Sequence, residues 1–346
     1  MLRPSPFLHI DADRVYDPLT DRAITPGDAA YERFRRFEAT GEADPDLEAE
    51  GWLVRNGDDL SRKHRLKIVS LETTIACNQK CYFCPVSIAP REDYAMPDEL
   101  FHRIVNELTT YPALEAVFLQ SYNEPTTDRR FVEFCQVLFA KQLPVAVLSN
   151  GSGFTPNKVD ALIEAGPLRY LCINLSTLDR ERYQRDRGAD HLQVVLRNLD
   201  YMKDRAVADE MKIVVLGKGD DEHQGDFESI RDRFAGTRFT VEPHVVMDRA
   251  GWLDVGMKAA DRSKRLAGCD NVGSRPLQHL HITPHGKCVL CCEDYDENYV
   301  VGDLTQSSIA EVLAGDELAK MRRWIYGIED APDDFMCRDC VFARRQ

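Results

Sequence analysis

Between positions 67 and 247, six apolar runs alternate with amphipathic segments, and this rhythm leaves few folds open. The runs are KIVSLETT (67–74), LEAVFLQS (114–121), PVAVLSN (144–150), YLCINLS (170–176), MKIVVLG (211–217) and FTVEPHVVM (239–247). Helical spacing fills the gaps over 97–108, 128–141, near 155–165, near 190–204 and near 226–235. In the first of these, Pro97 opens the helix, acids fill its first turn, and Leu100, Ile104, Val105 and Leu108 share one face. Strands separated by helices pair in parallel through right-handed crossovers, so an open α/β sheet or a partial barrel is expected. Polar or glycine-containing stretches follow several strands (SYNEP, SNGSG, STLD, GKGDD). Such folds build their sites at those carboxyl ends.

Two segments flank this core. Residues 1–65 hold VYDPLTDRAITPGDAAYERFRRF and then GWLV, a strand–helix–strand pattern that suggests a small winged-helix-like or capping module. Residues 251–346 hold six of the eleven cysteines. A net charge of −14 argues against a nucleic-acid partner, which needs a clustered cationic face. No run approaches the ~20 apolar residues of a membrane span, and the opening MLRPSPFLHI lacks a signal-peptide core. A cytoplasmic protein is expected, in which cysteines bind metal or stay reduced.

The densest chemistry is ACNQKCYFCPV (76–86), with Cys77, Cys81 and Cys84 on the loop after the first strand. Three thiolates at C-x3-C-x2-C spacing can hold three irons of a 4Fe-4S cluster. Structural zinc is the alternative, but it needs four ligands. No fourth Cys or His lies near in sequence, since His64 precedes the strand and His102 lies well down the next helix. An open iron suits a cofactor that brings its own ligands.

This C-x3-C-x-Φ-C pattern, with Phe83 as its aromatic residue, resembles the radical S-adenosylmethionine (SAM) enzymes. The resemblance implies a partial (β/α)6 TIM-like barrel over 66–250. It also implies a SAM-binding 4Fe-4S cluster on Cys77, Cys81 and Cys84. There SAM is cleaved reductively to a 5′-deoxyadenosyl radical that abstracts hydrogen from substrate. YNEP (122–125) resembles the family's Gly-Gly-Glu-Pro, although Tyr122 and Asn123 replace both glycines. Asn123 and Glu124 are thereby implied at the methionine ammonium. Asn150, in SNG, is the candidate for the ribose, against an ordinary Asn-Gly turn. INLST followed by Arg187-Gly188 resembles the pattern in which Ser and Arg reach the SAM carboxylate, giving Ser176 and Arg187. A surface salt bridge is the alternative for Arg187.

The tail resembles the SPASM/twitch extension of one branch of this family. Gly286–Cys291, Asp294, Gly302–Leu304 and the closing Cys337/Cys340 follow its pattern, and Cys269 adds a fourth thiol. The resemblance implies one auxiliary 4Fe-4S cluster on Cys269, Cys291, Cys337 and Cys340. Strand alternation would place Cys288 and Cys292 on one face and Cys291 on the other. Cys288 and Cys292 are rival ligands or hydrogen-atom donors. Cys172, on a strand face with Asn174 and Ser176, is a third candidate donor, though a buried inert thiol is the simpler reading. Cys135 reads as a small core residue.

Relatives bearing this extension suggest two substrate classes. One is a ribosomally made precursor peptide that is cross-linked, epimerised or oxidised, and this is the first reading. The other is a small-molecule substrate, a sugar or aminocyclitol intermediate that is oxidised or epimerised. The expected electron donor is reduced ferredoxin or flavodoxin. A non-catalytic Fe–S carrier, from a different class, would need neither the open iron nor the NEP and Arg-Gly strand ends.

Overall fold

A computed structural model of the chain describes residues 1–259 and 261–346. The N-terminal segment holds β1 (Leu2–Pro4), β2 (His9–Ile10), β3 (Val15–Asp17), β4 (Arg22–Ile24), α1 (Ala29–Thr40), α2 (Pro45–Ala49) and β5 (Leu53–Arg55). Strands β2–β4 form an antiparallel meander, and β1 pairs with β5. Helix α1 buries Tyr31, Phe34 and Phe37 against Val15, Leu47 and Trp52, so the segment has its own small core. Its hairpins precede the helices, whereas the sequence pattern placed a single strand there.

The central region runs β6 (Ile68–Leu71), α3 (Asp98–Leu108), β7 (Ala116–Phe118), α4 (Phe131–Ala140), β8 (Val145–Ser149), α5 (Pro156–Ala165) and β9 (Leu168–Leu175). It continues with α6 (Arg180–Arg187), α7 (Leu192–Met202), β10 (Ala208–Gly217), α8 (Asp221–Arg233) and β11 (Phe239–Val245). Strands β6 to β11 pair in sequence order and in parallel, as a right-handed βα series does. Every apolar residue expected on the inward face of α3 is buried. Side chains of β6–β9 point alternately to the two faces of the sheet. Val69, Leu71, Val117, Val147 and Ile173 enter the core under the helices. Ile68, Ser70, Phe118, Leu148 and Asn174 line a half-buried concave face.

Helix α6 has no apolar stripe and was not expected as a separate element. Its ends define it. The Asp179 side chain accepts from the Arg182 amide, and Gly188 closes the helix at φ +62°.

The C-terminal segment contains β12 (Leu266–Cys269), α9 (Arg275–Gln278), β13 (His279–Ile282), β14 (Lys287–Val289), β15 (Val300–Asp303), α10 (Ile309–Leu313), α11 (Asp316–Ile325) and β16 (Ala343–Arg345). It does not stand apart from the barrel. Strand β13 pairs in parallel with β6, and β14 and β15 extend the sheet antiparallel, giving the order β11-β10-β9-β8-β7-β6-β13-β14-β15. The edge of β6 is thus covered rather than left open to other chains. Strand β12 pairs with β16 and draws the chain end back across the segment.

The N-terminal segment docks at the other end of this sheet. Lys67 Nζ donates to Asp21 Oδ2 at 2.6 Å, and Gln278 Nε2 donates to Tyr16 Oη at 2.9 Å and to the Pro18 carbonyl at 2.7 Å. No helix among the described residues is long and apolar enough to cross a membrane.

Candidate active site

The loop bearing Cys77, Cys81 and Cys84 leaves β6 at the carboxyl end of the sheet and is tied down on both sides. The Lys80 and Tyr82 amides donate to the Arg187 and Asp186 carbonyls at 2.9 and 3.0 Å. The Glu124 amide donates to the Ala76 carbonyl at 3.0 Å. A Cβ on Gly188 would lie 3.0 Å from the Lys80 carbonyl oxygen, so glycine is needed for this close approach as well as for its positive φ. Burial is the main cause that pushes the Cys77 thiol up to about 12 and raises Cys84. Neighbouring charges add to it, including Glu124 and the adjoining thiols at Cys77.

Arg187, 1% exposed, crosses this loop. Its Nε donates to Ser176 Oγ at 2.7 Å, its Nη1 lies 3.8 Å from Cys81 Sγ, and its guanidinium sits 5.0 Å over the Phe83 ring. Its Nη2 is enclosed and has no partner. It is therefore no surface salt bridge. Asn123 Oδ1 accepts from the Ser121 amide, while its enclosed Nδ2 also lacks a partner.

Glu124 is deeply buried, and burial raises its pKa. Its Oε1 accepts from Thr126 N, Thr126 Oγ1 and Ser149 Oγ at 3.1, 2.5 and 2.7 Å, and its Oε2 accepts from Asn150 N at 2.7 Å. A carboxylate has about four acceptor positions, so little beyond one Oε2 lone pair is left for a ligand. Asn150 is similarly engaged, donating to Asn78 Oδ1 and accepting from Ser152. Beside Ser176 and Tyr82 opens a cavity of about 460 Å³, which reaches Leu216, Gly217 and Lys218 at the end of β10.

The C-terminal thiols gather differently. Pairing of Cys269 with Ala343 in the β12–β16 ladder carries the Met336–Arg338 turn and Cys340 alongside Cys269. Burial raises the pKa of Cys337 and of Cys340; Cys340 and Cys269 add to it at Cys337, and Cys269 and Cys292 at Cys340. Strand β14 ends at Val289, so the expected alternation stops short of the later cysteines. Cys291 and Cys292 are adjacent on the side of Arg275, and Cys292 Sγ donates to Glu293 Oε1 at 3.6 Å. The neighbouring Cys291 thiol, then Arg275 and Arg249, lower the Cys292 pKa while burial opposes them.

Cys288 alone keeps the strand geometry and sits in the main core, its charged neighbours being Asp303 and Glu107. This corrects its grouping with Cys292, because a thiol packed under the sheet faces neither cysteine centre. Cys172 lies on the concave face near Tyr170 and Lys212, with burial pushing its thiol up to about 11. It is four residues, or roughly 13 Å of extended chain, before Ser176.

Between the two thiol regions lies a layer of residues that the sequence reading did not single out. Arg91 holds buried Glu72 with two hydrogen bonds, 2.6 and 3.0 Å, and the Tyr122 amide also donates to Glu72. Tyr122 packs edge-to-face on Tyr295 at 4.7 Å, and its hydroxyl donates to the Cys292 carbonyl. Arg249 pairs with buried Glu293 at 3.3 Å and has positive φ, as does Ala250. Such backbone strain persists only where its surroundings enforce it. The available signal was a carboxylate ending an otherwise apolar strand, IVSLE, and an arginine in the loop beyond Cys84.

Family models match two stretches of the chain: the radical SAM superfamily over residues 71–232, and the SPASM iron–sulfur cluster-binding domain over 269–341. The chain belongs to the radical SAM superfamily. It carries a C-terminal SPASM domain, so SAM, a 4Fe-4S cluster and auxiliary iron–sulfur chemistry come with the family. The residues present fit these groups. Arg187 Nη2 and Asn123 Nδ2 are unpartnered donors on either side of the cysteine loop. Among the described residues, no three Cys, His, Asp or Glu side chains close on one metal ion. A multi-iron cluster spreads its thiolates wider than a single zinc does.

This radical SAM enzyme is 20% identical over 278 residues to the S-adenosyl-L-methionine-dependent 2-deoxy-scyllo-inosamine dehydrogenase of Niallia circulans, covering 79% of this chain and 92% of that one. Its fold is similar to that of Streptococcus suis SuiB bound to precursor peptide SuiA. That match has TM-score 0.58 and 13% identity, over 99% of this chain and 94% of that one. It is also similar to BtrN in complex with AdoMet and 2-DOIA, with TM-score 0.52 and 16% identity over 78% and 92%.

Proposed function

We propose that this radical SAM enzyme matures a ribosomally made peptide by oxidation, cross-linking or epimerisation. The observation that carries this reading is the N-terminal module, residues 1–65. It has its own core and, among the described residues, β2 and β4 each pair with β3 alone; it is docked at the amino ends of β6 and β13. Extended peptides bind such edges by adding a strand. A cavity of about 300 Å³ between module and barrel, lined by Arg14, Tyr16, Asp21, Lys67 and Glu115, offers polar anchors beside them. The likeness to SuiB, which spans the module as well as the barrel, supports the same reading.

In this reading residues 66–250 form the radical SAM core and 251–346 the auxiliary domain. Cys77, Cys81 and Cys84 hold the first cluster. Arg187 and Ser176 meet the SAM carboxylate, Asn123 and Glu124 its ammonium end, and Phe83 packs beside it. Bound there, SAM and its cluster supply hydrogen-atom abstraction from an unactivated C–H bond. The chain's own contribution is orientation and exclusion of water, through the buried Arg187–Ser176 pair and the Tyr122–Tyr295–Arg249 layer. Cys269, Cys291, Cys337 and Cys340 hold one auxiliary 4Fe-4S cluster. Reduced ferredoxin or flavodoxin supplies electrons.

A second reading, oxidation of an aminocyclitol, is favoured by the Glu72–Arg91 and Arg249–Glu293 pairs around Tyr122 and Tyr295. Tyrosine rings flanked by carboxylates suit a small polyhydroxylated amine, and the Niallia relative's activity agrees. Anaerobic reconstitution separates the two. With SAM and dithionite, the full chain is given either precursor peptides encoded beside its gene or 2-deoxy-scyllo-inosamine. Peptide maturation requires a peptide mass change; turnover of the aminocyclitol alone reverses the order.

A further inference from the structure

Arg275 carries a positive charge that the protein itself leaves uncompensated. A guanidinium stays ionised in proteins and can only donate hydrogen bonds. Here Nη1 donates to His279 Nδ1 at 3.4 Å and to His281 Nε2 at 3.2 Å, both neutral acceptors. Burial, then Arg275 itself, holds both imidazoles well below their ordinary range. Arg275 Nε is enclosed without a partner, as are the outer nitrogens His279 Nε2 and His281 Nδ1. Among the described residues no carboxylate oxygen lies within the 4.0 Å of a salt bridge to it. Arg275 as a whole is half-buried, but its Nε is enclosed and unpaired, and a guanidinium so placed favours an anion on its open side.

The acidic groups near enough to act on the guanidinium are Cys292, Cys291, Glu293 and Cys269. Glu293 is already engaged by Arg249. The backbone of Asn271 and of Arg275 and the Arg275 charge oppose the rise that burial gives the Cys269 pKa. Neutral thiols would leave the guanidinium bare, whereas thiolates on an iron–sulfur cluster carry net negative charge. We propose that Arg275, braced by His279 and His281, is the built-in counter-charge of the auxiliary cluster and raises its reduction potential. A fixed positive charge favours the more negative, reduced state, and hydrogen bonding and charge near the sulfurs are known levers on cluster potential.

This inference rests on the auxiliary-centre assignment, and iron analysis tests that separately. If replacing Cys269, Cys291, Cys337 and Cys340 by Ala leaves the iron content unchanged, the assignment fails and the inference with it. With the centre established, EPR-monitored redox titration of the reconstituted full chain tests Arg275. Arg275→Gln is expected to lower the reduced-to-oxidised ratio of the auxiliary cluster about tenfold at fixed potential, about 59 mV for a one-electron couple. The cluster on Cys77, Cys81 and Cys84 should not move. Arg275→Lys, which keeps the charge, should stay near wild type. An unmoved auxiliary potential in Arg275→Gln, or an equal shift of both clusters, overturns the proposal. Should Arg275→Gln lose its auxiliary iron, Arg275→Lys decides. Retained iron with a wild-type potential supports the charge role, and lost iron or a displaced potential refutes it.

Discussion

The two cysteine regions of this chain are built on opposite plans. The first places three thiols within eight residues on one loop, and tertiary contacts only hold that loop down. The second assembles its thiols from three separated segments, and it exists only because β12 pairs with β16 and β14 ends at Val289. Each has a guanidinium beside its thiols, Arg187 in the first and Arg275 in the second, and the two are held differently. Arg187 is anchored by Ser176 and keeps one free donor beside Cys81, as a ligand-binding group should. Arg275 is braced only by neutral imidazoles, as a fixed counter-charge should be. On the proposed reading, local spacing makes a site that receives a cofactor, and long-range assembly makes one that sets an environment.

The sharpest way to break this comparison is to remove the first centre. Replacing Cys77, Cys81 and Cys84 by Ala should abolish 5′-deoxyadenosine formation and remove one cluster's iron while the other remains. Loss of both clusters, or of neither, would show that the regions are not independent. Next in size, Arg187→Met should raise the SAM dissociation constant roughly 10- to 100-fold, as expected for a charge-assisted hydrogen bond. Equilibrium SAM binding by the reconstituted protein measures it, and unchanged affinity would remove Arg187 from the cofactor site.

Within the second centre, Cys291→Ala should lose auxiliary iron and Cys292→Ala should keep it. Cys288→Ala should change iron content in neither direction and lower stability by about 1 kcal/mol, as a small core truncation does. Iron loss in Cys288→Ala would contradict its place under the sheet.

The smallest effect concerns how the N-terminal module braces the second centre. Buried His9 contacts Asp270, next to Cys269, at 3.3 Å and Tyr326 Oη at 3.1 Å. Burial, then Arg344, depresses its pKa from 6.5 to about 4. Because the folded state favours neutral His9, this contribution is fully present above pH 6.5 and is lost as pH falls through about 4. The melting temperature should decline across that window, and His9→Gln should flatten the decline. An equal slope in both proteins would exclude His9 as its source.

Legibility followed sequence distance. The six parallel strands and the face of α3 were readable because periodicity is local. Helix α6 was not, since RERYQRDR lacks a stripe and is defined by Asp179, Gly188 and the buried Tyr183 and Arg187. Strand β13 was hidden because HLHI earns its place only beside β6, more than two hundred residues earlier. The alternation argument for Cys288, Cys291 and Cys292 failed because it assumed a strand longer than β14.

By itself, the sequence determined the α/β series, the three-thiol loop and the residues of the Arg-Gly turn, all set by spacing over a few residues. Only the tertiary structure decided which distant thiols approach one another, that Cys288 is core, and that Glu72, Arg91, Tyr122, Tyr295 and Arg249 lie between the two regions. The reason is physical: hydrogen-bonded turns and side-chain periodicity act along the chain. Burial of a charge and the identity of its partner depend on packing between segments that the chain brings together only on folding.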